Sequence, residues 1–248
     1  MQNWFTHRFG PLLILAIILC SLSFITRVIL LIRSWPNLDF NLLHLVNLFL
    51  IGLFYYLVVW GFFAIPVALY CWLMKDSWYQ KKWQRIPLFI LFFLITLILV
   101  LNAGAEIVFW DEFNVRFNFI AVDYLIYTTE VIGNIRESYN VPLIMAAVLL
   151  AVFFILFLVR KRIVVTQLSS MRFRNRTVFF LVFLLFPLAG YFLVNNRLKN
   201  ISNNNYINEL GGNGIYEFGT AFWNNEIDYN KFYLTRNDTA NFAILRNL

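Results

Sequence analysis

Apolar positions along this chain gather into long unbroken runs instead of alternating with polar ones. A membrane-crossing helix needs about 20 mostly apolar residues, because every backbone polar group must be paired inside the hydrocarbon. Five runs meet that requirement. The first covers Leu12 to Ile32, the second lies within Leu42 to Met74, the third is Ile86 to about Ala105, the fourth Val141 to Val159 and the fifth Val178 to Val194. The second is too long for one perpendicular crossing. Asn41 to Phe49 is therefore read as an outer interfacial segment and Ile51 to Met74 as the span, with a kink at Pro66.

The segment from Asp111 to Asn140 is too charged to cross, yet it has no Pro and only one Gly, Gly133, so it reads as a helix. Arg116, Asp123, Tyr127, Glu130, Asn134 and Glu137 recur at helical spacings along one stripe. Ile120, Ala121, Tyr124, Leu125, Val131, Ile132 and Ile135 form a broad apolar face. Such a helix either lies along the outer membrane surface or packs over the bundle with a solvated charged face. Past Val194 the chain turns polar and Asn-rich, which is a linker signature. The later aromatics Tyr216, Phe218, Phe222, Trp223, Tyr229, Phe232 and Tyr233 belong to a tail too small to bury a core of its own, so it needs a partner surface. This divides the chain into a five-span domain over 1–195 and an extracytoplasmic linker over 196–248. The fold class expected is all-α and polytopic.

Composition strengthens this reading. With 61% apolar and only 13% charged residues, about half the usual charged share, a soluble monomer is excluded. The net charge of +7 forms no continuous face suited to nucleic acid. Its basic residues fall instead on alternate loops. Arg8, then Lys75, Lys81, Lys82 and Arg85, then Arg160, Lys161, Arg162, Arg172, Arg174 and Arg176 share one side, with Asp76 their only acidic companion. The other side carries Arg33 with Asp39, then Arg116 and Arg136 against Asp111, Glu112, Asp123, Glu130 and Glu137. Cytoplasmic loops hold the Lys and Arg excess, which predicts an inner N-terminus and an outer C-terminus. The first run is no signal peptide, because it continues past Cys20 and no small-residue cleavage site closes it. Cys20 and Cys71 both sit in apolar runs and read as small hydrophobes.

Ionisable groups at membrane depth are costly and mark candidate sites. Arg27 lies about 24 Å along the first span from Pro11, towards the outer leaflet. Glu106 follows Asn102 by one turn near the outer end of the third span, and His44 and Asn47 enter at that level on the second. Together they suggest a polar girdle where a lipid headgroup would sit. The plainer alternative is that Arg27 snorkels to the interface and Glu106 marks a helix end. With Arg116, Asn118, Asp123, Tyr127, Glu130, Asn134 and Arg136 of the outer segment, these residues form the candidate lipid- or domain-contact set. No phosphate loop, ligand-spaced Cys or His set, or nucleophile with recognisable partners is present.

The stretch Arg116-Phe117-Asn118-Phe119-Ile120-Ala121-Val122-Asp123-Tyr124-Leu125-Ile126-Tyr127, continuing from Glu130 to Tyr139, resembles the extracytoplasmic segment of bacterial lipoteichoic-acid-synthase-like proteins. These are membrane-anchored members of the sulfatase and alkaline phosphatase superfamily. Asn208-Glu209-Leu210, Asn213-Gly214-Ile215-Tyr216, Ala221-Phe222 and Asn224 to Tyr229 look like the linker before their catalytic domain. The resemblance implies a membrane half whose outer sulfatase-like domain uses a Thr nucleophile and a divalent metal, commonly manganese, to move phosphoglycerol or hydrolyse related esters. Neither the nucleophile nor the metal ligands have counterparts to carry over here. The chain is accordingly expected to be truncated before the catalytic domain, with the metal belonging to that missing part. The function expected is an anchor that holds, and presents lipid such as phosphatidylglycerol to, a phosphoglycerol-transferase or sulfatase-like domain. The rival is a non-enzymatic polytopic protein such as a small transporter subunit or assembly factor.

Overall fold

The computed structural model describes residues 6–39 and 41–224. Eleven α-helices follow one another in the described residues, with no strand among them: α1 (Gly10–Ser34), α2 (Leu42–Phe63), α3 (Ile65–Leu73), α4 (Asp76–Tyr79), α5 (Arg85–Phe113), α6 (Phe119–Ile126), α7 (Thr128–Ser138), α8 (Val141–Thr166), α9 (Phe173–Leu193), α10 (Asn205–Gly211) and α11 (Gly214–Trp223). Five of them, α1, α2, α5, α8 and α9, are long and apolar enough to cross a membrane. The protein is an all-α, multi-pass membrane protein. Tyr229, Phe232 and Tyr233 lie outside the described residues.

Helix boundaries correct the expected spans at several points. Asn41 to Phe49 is not a separate interfacial segment: the Asn41 side chain caps α2 by accepting from Leu43 N at 2.9 Å, and the helix then runs unbroken to Phe63. Nothing between Phe49 and Ile51 interrupts the backbone ladder. The interruption comes at Ala64, ahead of Pro66, whose ring cannot donate and crowds the carbonyl one turn earlier. There α3 begins, with the proline in its first turn. The remaining spans are longer than their apolar runs, because charged residues at their ends stay helical.

The segment from Asp111 to Asn140 is not one helix. Asn114 takes a left-handed conformation (φ 54°) and ends α5, its N–H bonding to Trp110 O, as Asn tolerates just past a helix end. Asn118 then caps α6 through Ile120 N at 2.9 Å. A break at Tyr127 (φ −92°, ψ 42°) separates α6 from α7. The expected stripe is thereby cut: Arg116 lies in the loop before α6, while Tyr127, Glu130, Asn134 and Arg136 face outward from α7 and its approach. Most of the expected apolar face is exposed as well, including Leu125, Ile132 and Ile135. Ala121 is buried.

The interior lies where α1 packs against α2, α5 and α8, with α9 on the far side of α2 and against α3. Leu15, Leu19, Tyr56, Val67, Leu88, Phe92 and Ile163 belong to this buried cluster. Lipid tails are as apolar as these side chains, so close packing and internal hydrogen bonds hold spans together in a bilayer. Trp60 donates to Leu12 O at 2.8 Å and Tyr56 to Ser23 O at 2.9 Å, joining α2 to α1. Between α2 and α9, Gly190 faces Val58: a Cβ there would lie 3.0 Å from its Cγ1.

The Asn-rich stretch after α9 folds back on the bundle. Asn195, Asn204 and Asn213 each cap a following turn or helix by accepting from Arg197 N, Tyr206 N and Tyr216 N. Asn208 accepts from Ile201 N and Ser202 N and returns a bond to Ser202 O. Ile207 and Leu210 of α10 are buried with Leu30, Leu48 and Trp110. Phe218 of α11 meets Phe117 edge-on at 6.1 Å. As far as Asn224, the partner surface for this tail is thus the end of its own bundle. We call this the capped end, and the opposite one, where Arg8, Asp76 and Arg176 meet, the basic end.

Candidate functional site

A buried polar cluster sits beneath the cap. Arg27, on α1, is fully buried and reaches across to α2, where Gly52 presents no side chain. A Cβ on Gly52 would overlap the guanidinium. This vacancy lets Arg27 donate to Leu48 O at 2.8 Å and to Gly212 O, beyond α10, at 2.5 Å. Its charge also lies 4.5 Å from the centre of the Tyr56 ring, a cation–π contact that strengthens when desolvated. One arginine therefore ties two spans to the cap.

Glu106, near the end of α5, pairs with Arg116. Arg116 also donates through Nε to Glu209 O at 2.7 Å and through a second terminal nitrogen to Leu210 O at 3.2 Å, while its backbone N–H bonds Glu209 Oε2 at 3.1 Å. Lys199 bridges Glu209 Oε1 at 2.7 Å and Glu217 Oε2 at 2.5 Å. Three cations and three carboxylates thus share this region, and each carboxylate has a cationic partner. Burial lowers the Arg116 guanidinium from its usual value, and the Glu217 and Glu209 carboxylates oppose that shift. Glu217 behaves in the complementary way. Burial raises its carboxyl to about 7, although Lys199 pulls it back down, so desolvation outweighs the neighbouring ammonium.

Glycine makes this crowding possible. A Cβ on Gly214 would stand 2.5 Å from the Glu106 carboxylate, and one on Gly212 would overlap Glu217 Oε1. Beside the cluster opens a cleft of about 380 Å³. Its walls come from the loop before α6 (Arg116 to Phe119), the turn after α9 (Asn196 and Lys199), Glu209 of α10, and α11.

Of the residues singled out by sequence, the structure brings Arg27, Glu106 and Arg116 together, and it places Asn118 in the cleft wall. Asn102 is half-buried one turn before Glu106 on α5. Asp123 is half-buried on α6, whereas Tyr127, Glu130, Asn134 and Arg136 are exposed and apart from the cluster. His44 borders a small separate hollow with Asn41 and Leu48. Lys199, Glu209 and Glu217 escaped notice because they follow the last span, where charge is ordinary. The Gly211-Gly212-Asn213-Gly214 run was the available signal, since glycines so closely spaced mark turns or close approach.

Among the described residues no group of three or more His, Cys, Asp or Glu side chains is placed to hold a metal ion. Compared with family models, curated proteins and solved structures, the chain matches none.

Proposed function

We propose that this protein is the membrane-anchoring and lipid-presenting part of a phosphoglycerol-transferase or sulfatase-like enzyme, with its capped end on the outer face of a bacterial cytoplasmic membrane. The orientation is supported by the basic end, because Lys and Arg excess marks the cytoplasmic side. The observation that carries the reading is the way α10 and α11 are bound to the spans. Arg27 holds Gly212 O and Arg116 holds Glu209 and Leu210 O, so α10 and the start of α11 are fixed to the bundle beside a polar cleft. A domain carried from there works at a set height above the headgroups, and a lipid drawn to the cleft stands next to it. Holding two reactants in a defined geometry replaces a search through solution.

The test supplies a soluble catalytic domain of a lipoteichoic-acid-synthase-like enzyme to vesicles of phosphatidylglycerol and phosphatidylcholine, with and without the protein inserted. Phosphatidylglycerol turnover is expected to rise when the protein is present with its cap outward. Equal turnover in both sets of vesicles overturns the presenting role. Compartment-specific reporters placed in the loops at Lys81 and Arg174 and after Trp223 test the orientation separately, and a cytoplasmic signal after Trp223 overturns it.

A further inference from the structure

The connection between α3 and α5, at the basic end, is fixed from the inside and charged on the outside. Tyr79 is fully buried, with the Arg8 guanidinium carbon 4.1 Å from the centre of its ring. Gln84 is buried too, and its carbonyl accepts from Tyr70 Oη at 2.8 Å and from Gln167 Nε2 at 3.0 Å. Around these two fixed points other side chains turn outward. Trp78 and Trp83 are 52% and 53% exposed with ring centres 6.4 Å apart, and Lys75, Lys81 and Lys82 are exposed beside them. Asp76, the only carboxylate of this connection, is already shared by Arg8 and Met171 N. A rigid turn therefore presents three uncompensated lysines and two large rings that the described residues leave half uncovered.

Topology accounts for the positive charge, because cytoplasmic loops carry it, but not for the tryptophans. Their setting identifies what covers them. The turn at Lys82–Gln84 leads into α5 as one helix reaching Phe113. Along that helix Trp83, Ile86, Ile90, Leu94 and Ile98 are all exposed, and spacings of three and four put them on one face. Leu88, Phe92, Ile95 and Leu99, on the other face, belong to the buried interior. An exposed isoleucine and leucine stripe on a spanning helix faces acyl chains. Trp83 closes that stripe at the basic end, at headgroup level, where an apolar ring and a polar N–H both find partners. Lysines at that level meet phosphate. We propose that this turn binds anionic phospholipid headgroups of the adjoining leaflet, with Trp78 and Trp83 at the acyl boundary and Lys81 and Lys82 on the phosphates. The surface lies at the opposite end of the bundle from the polar cleft and selects lipid by charge, so it is independent of the presenting role. Interfacial Trp and Lys set the tilt and rotation of the span they flank. Here that span is α5, which carries Glu106 to Arg116 at its other end.

The experiment uses the full chain in phosphatidylcholine nanodiscs doped equally with phosphatidylglycerol, phosphatidylserine and phosphatidylethanolamine, and counts the lipids retained on the protein by native mass spectrometry. Both anionic lipids are expected to exceed phosphatidylethanolamine by about 25-fold, about fivefold from each of Lys81 and Lys82, and high salt should shrink the ratio. Lys81→Gln with Lys82→Gln should bring it close to one. Lys161→Gln with Arg174→Gln, the same charge removed elsewhere at this end, should leave most of it. All four side chains are exposed, so these replacements leave the interior intact. Phosphatidylcholine brominated high on its acyl chains should also quench the emission that the wild type shows over Trp78→Phe with Trp83→Phe. A wild-type ratio near one, equal losses in the two double variants, or displacement of the retained lipid by glycerol 3-phosphate, as at a site for soluble phosphate, overturns the proposal. So does emission from the tryptophan pair that the bromolipid leaves unquenched, as on a surface for an acidic protein partner. No catalytic domain takes part and the cleft is untouched, so a failure here is separable from a failure of the turnover assay.

Discussion

The two ends of the bundle use the same device under different hydration. At the basic end Arg8 and Arg176 are buried and share Asp76. Both donate to Met74 O, and Arg8 also donates to Cys71 O at 2.6 Å. Asp76, with its side chain 35% exposed, reaches water and accepts from Met171 N at 3.1 Å. At the capped end the Glu106 and Arg116 side chains are 4% and 2% exposed. A pair whose carboxylate reaches water desolvates only its guanidinium in full, whereas a pair dry on both sides is held against a penalty that its mutual attraction barely offsets. The capped end therefore depends on every partner being present more heavily than the basic end does.

The largest effect follows directly. Glu106→Leu leaves Arg116 buried without its carboxylate and should destabilise the protein by about 3 to 5 kcal/mol, read as a lowered unfolding midpoint in detergent. The double variant Glu106→Leu with Arg116→Met removes both charges and should recover most of that loss. A double variant as unstable as the single one would mean that the bonds from Arg116 to Glu209 and Leu210, not charge balance, hold the cap.

Acidity separates the ends next. The Glu217 carboxyl is raised from 4.5 to about 7 by burial, so the folded protein binds this proton more tightly than the unfolded chain does. Its contribution is fully present below about pH 4.5 and is lost as pH rises through about 7, the sense required when the native state holds more protons. Unfolding midpoints of the wild type should fall across that window relative to those of Glu217→Gln. A parallel pair of curves would show that Lys199 compensates the burial.

This contrast marks what the sequence made legible. The five spans, the break ahead of Pro66 and the sorting of basic loops are visible in run length, proline chemistry and charge, because bilayer thickness and backbone satisfaction act on the chain directly. Arg27 and Glu106 were legible as costly charges. Their partners were not, since Lys199, Glu209 and Glu217 lie at least 90 positions beyond Glu106 along the chain and no local spacing connects them. Periodicity also misled over Asp111–Asn140. Residues at helical intervals share a face only if the helix is continuous, and Asn114, Asn118 and Tyr127 each interrupt it. The Asn-rich stretch read as a linker for a related reason: the residue type that favours loops is also the one that caps helices.

At the basic end the loss of one partner should be milder. Asp76→Asn keeps an acceptor oxygen, and Arg8 retains Cys71 O and Met74 O, so only the charge-assisted part of the contact disappears. A destabilisation of about 1 to 2 kcal/mol is expected, at the level of one hydrogen bond to a charged group. A loss matching that of Glu106→Leu would erase the distinction between the ends.

The smallest effect belongs to a pair at the capped end that remains wet. Arg33 and Asp111 join the ends of α1 and α5 with side chains 41% and 51% exposed. They have the same charges as Arg116 and Glu106 and connect elements of the same bundle, so they isolate hydration as the variable. Exposed pairs contribute about 0 to 1 kcal/mol, and salt screens them. Arg33→Ala should shift the unfolding midpoint only slightly, and raising the salt concentration should shrink that difference further while leaving the Glu106→Leu deficit nearly unchanged. If Arg33→Ala proved as damaging as Glu106→Leu, position at the capped end, and not dryness, would be what makes its charges indispensable.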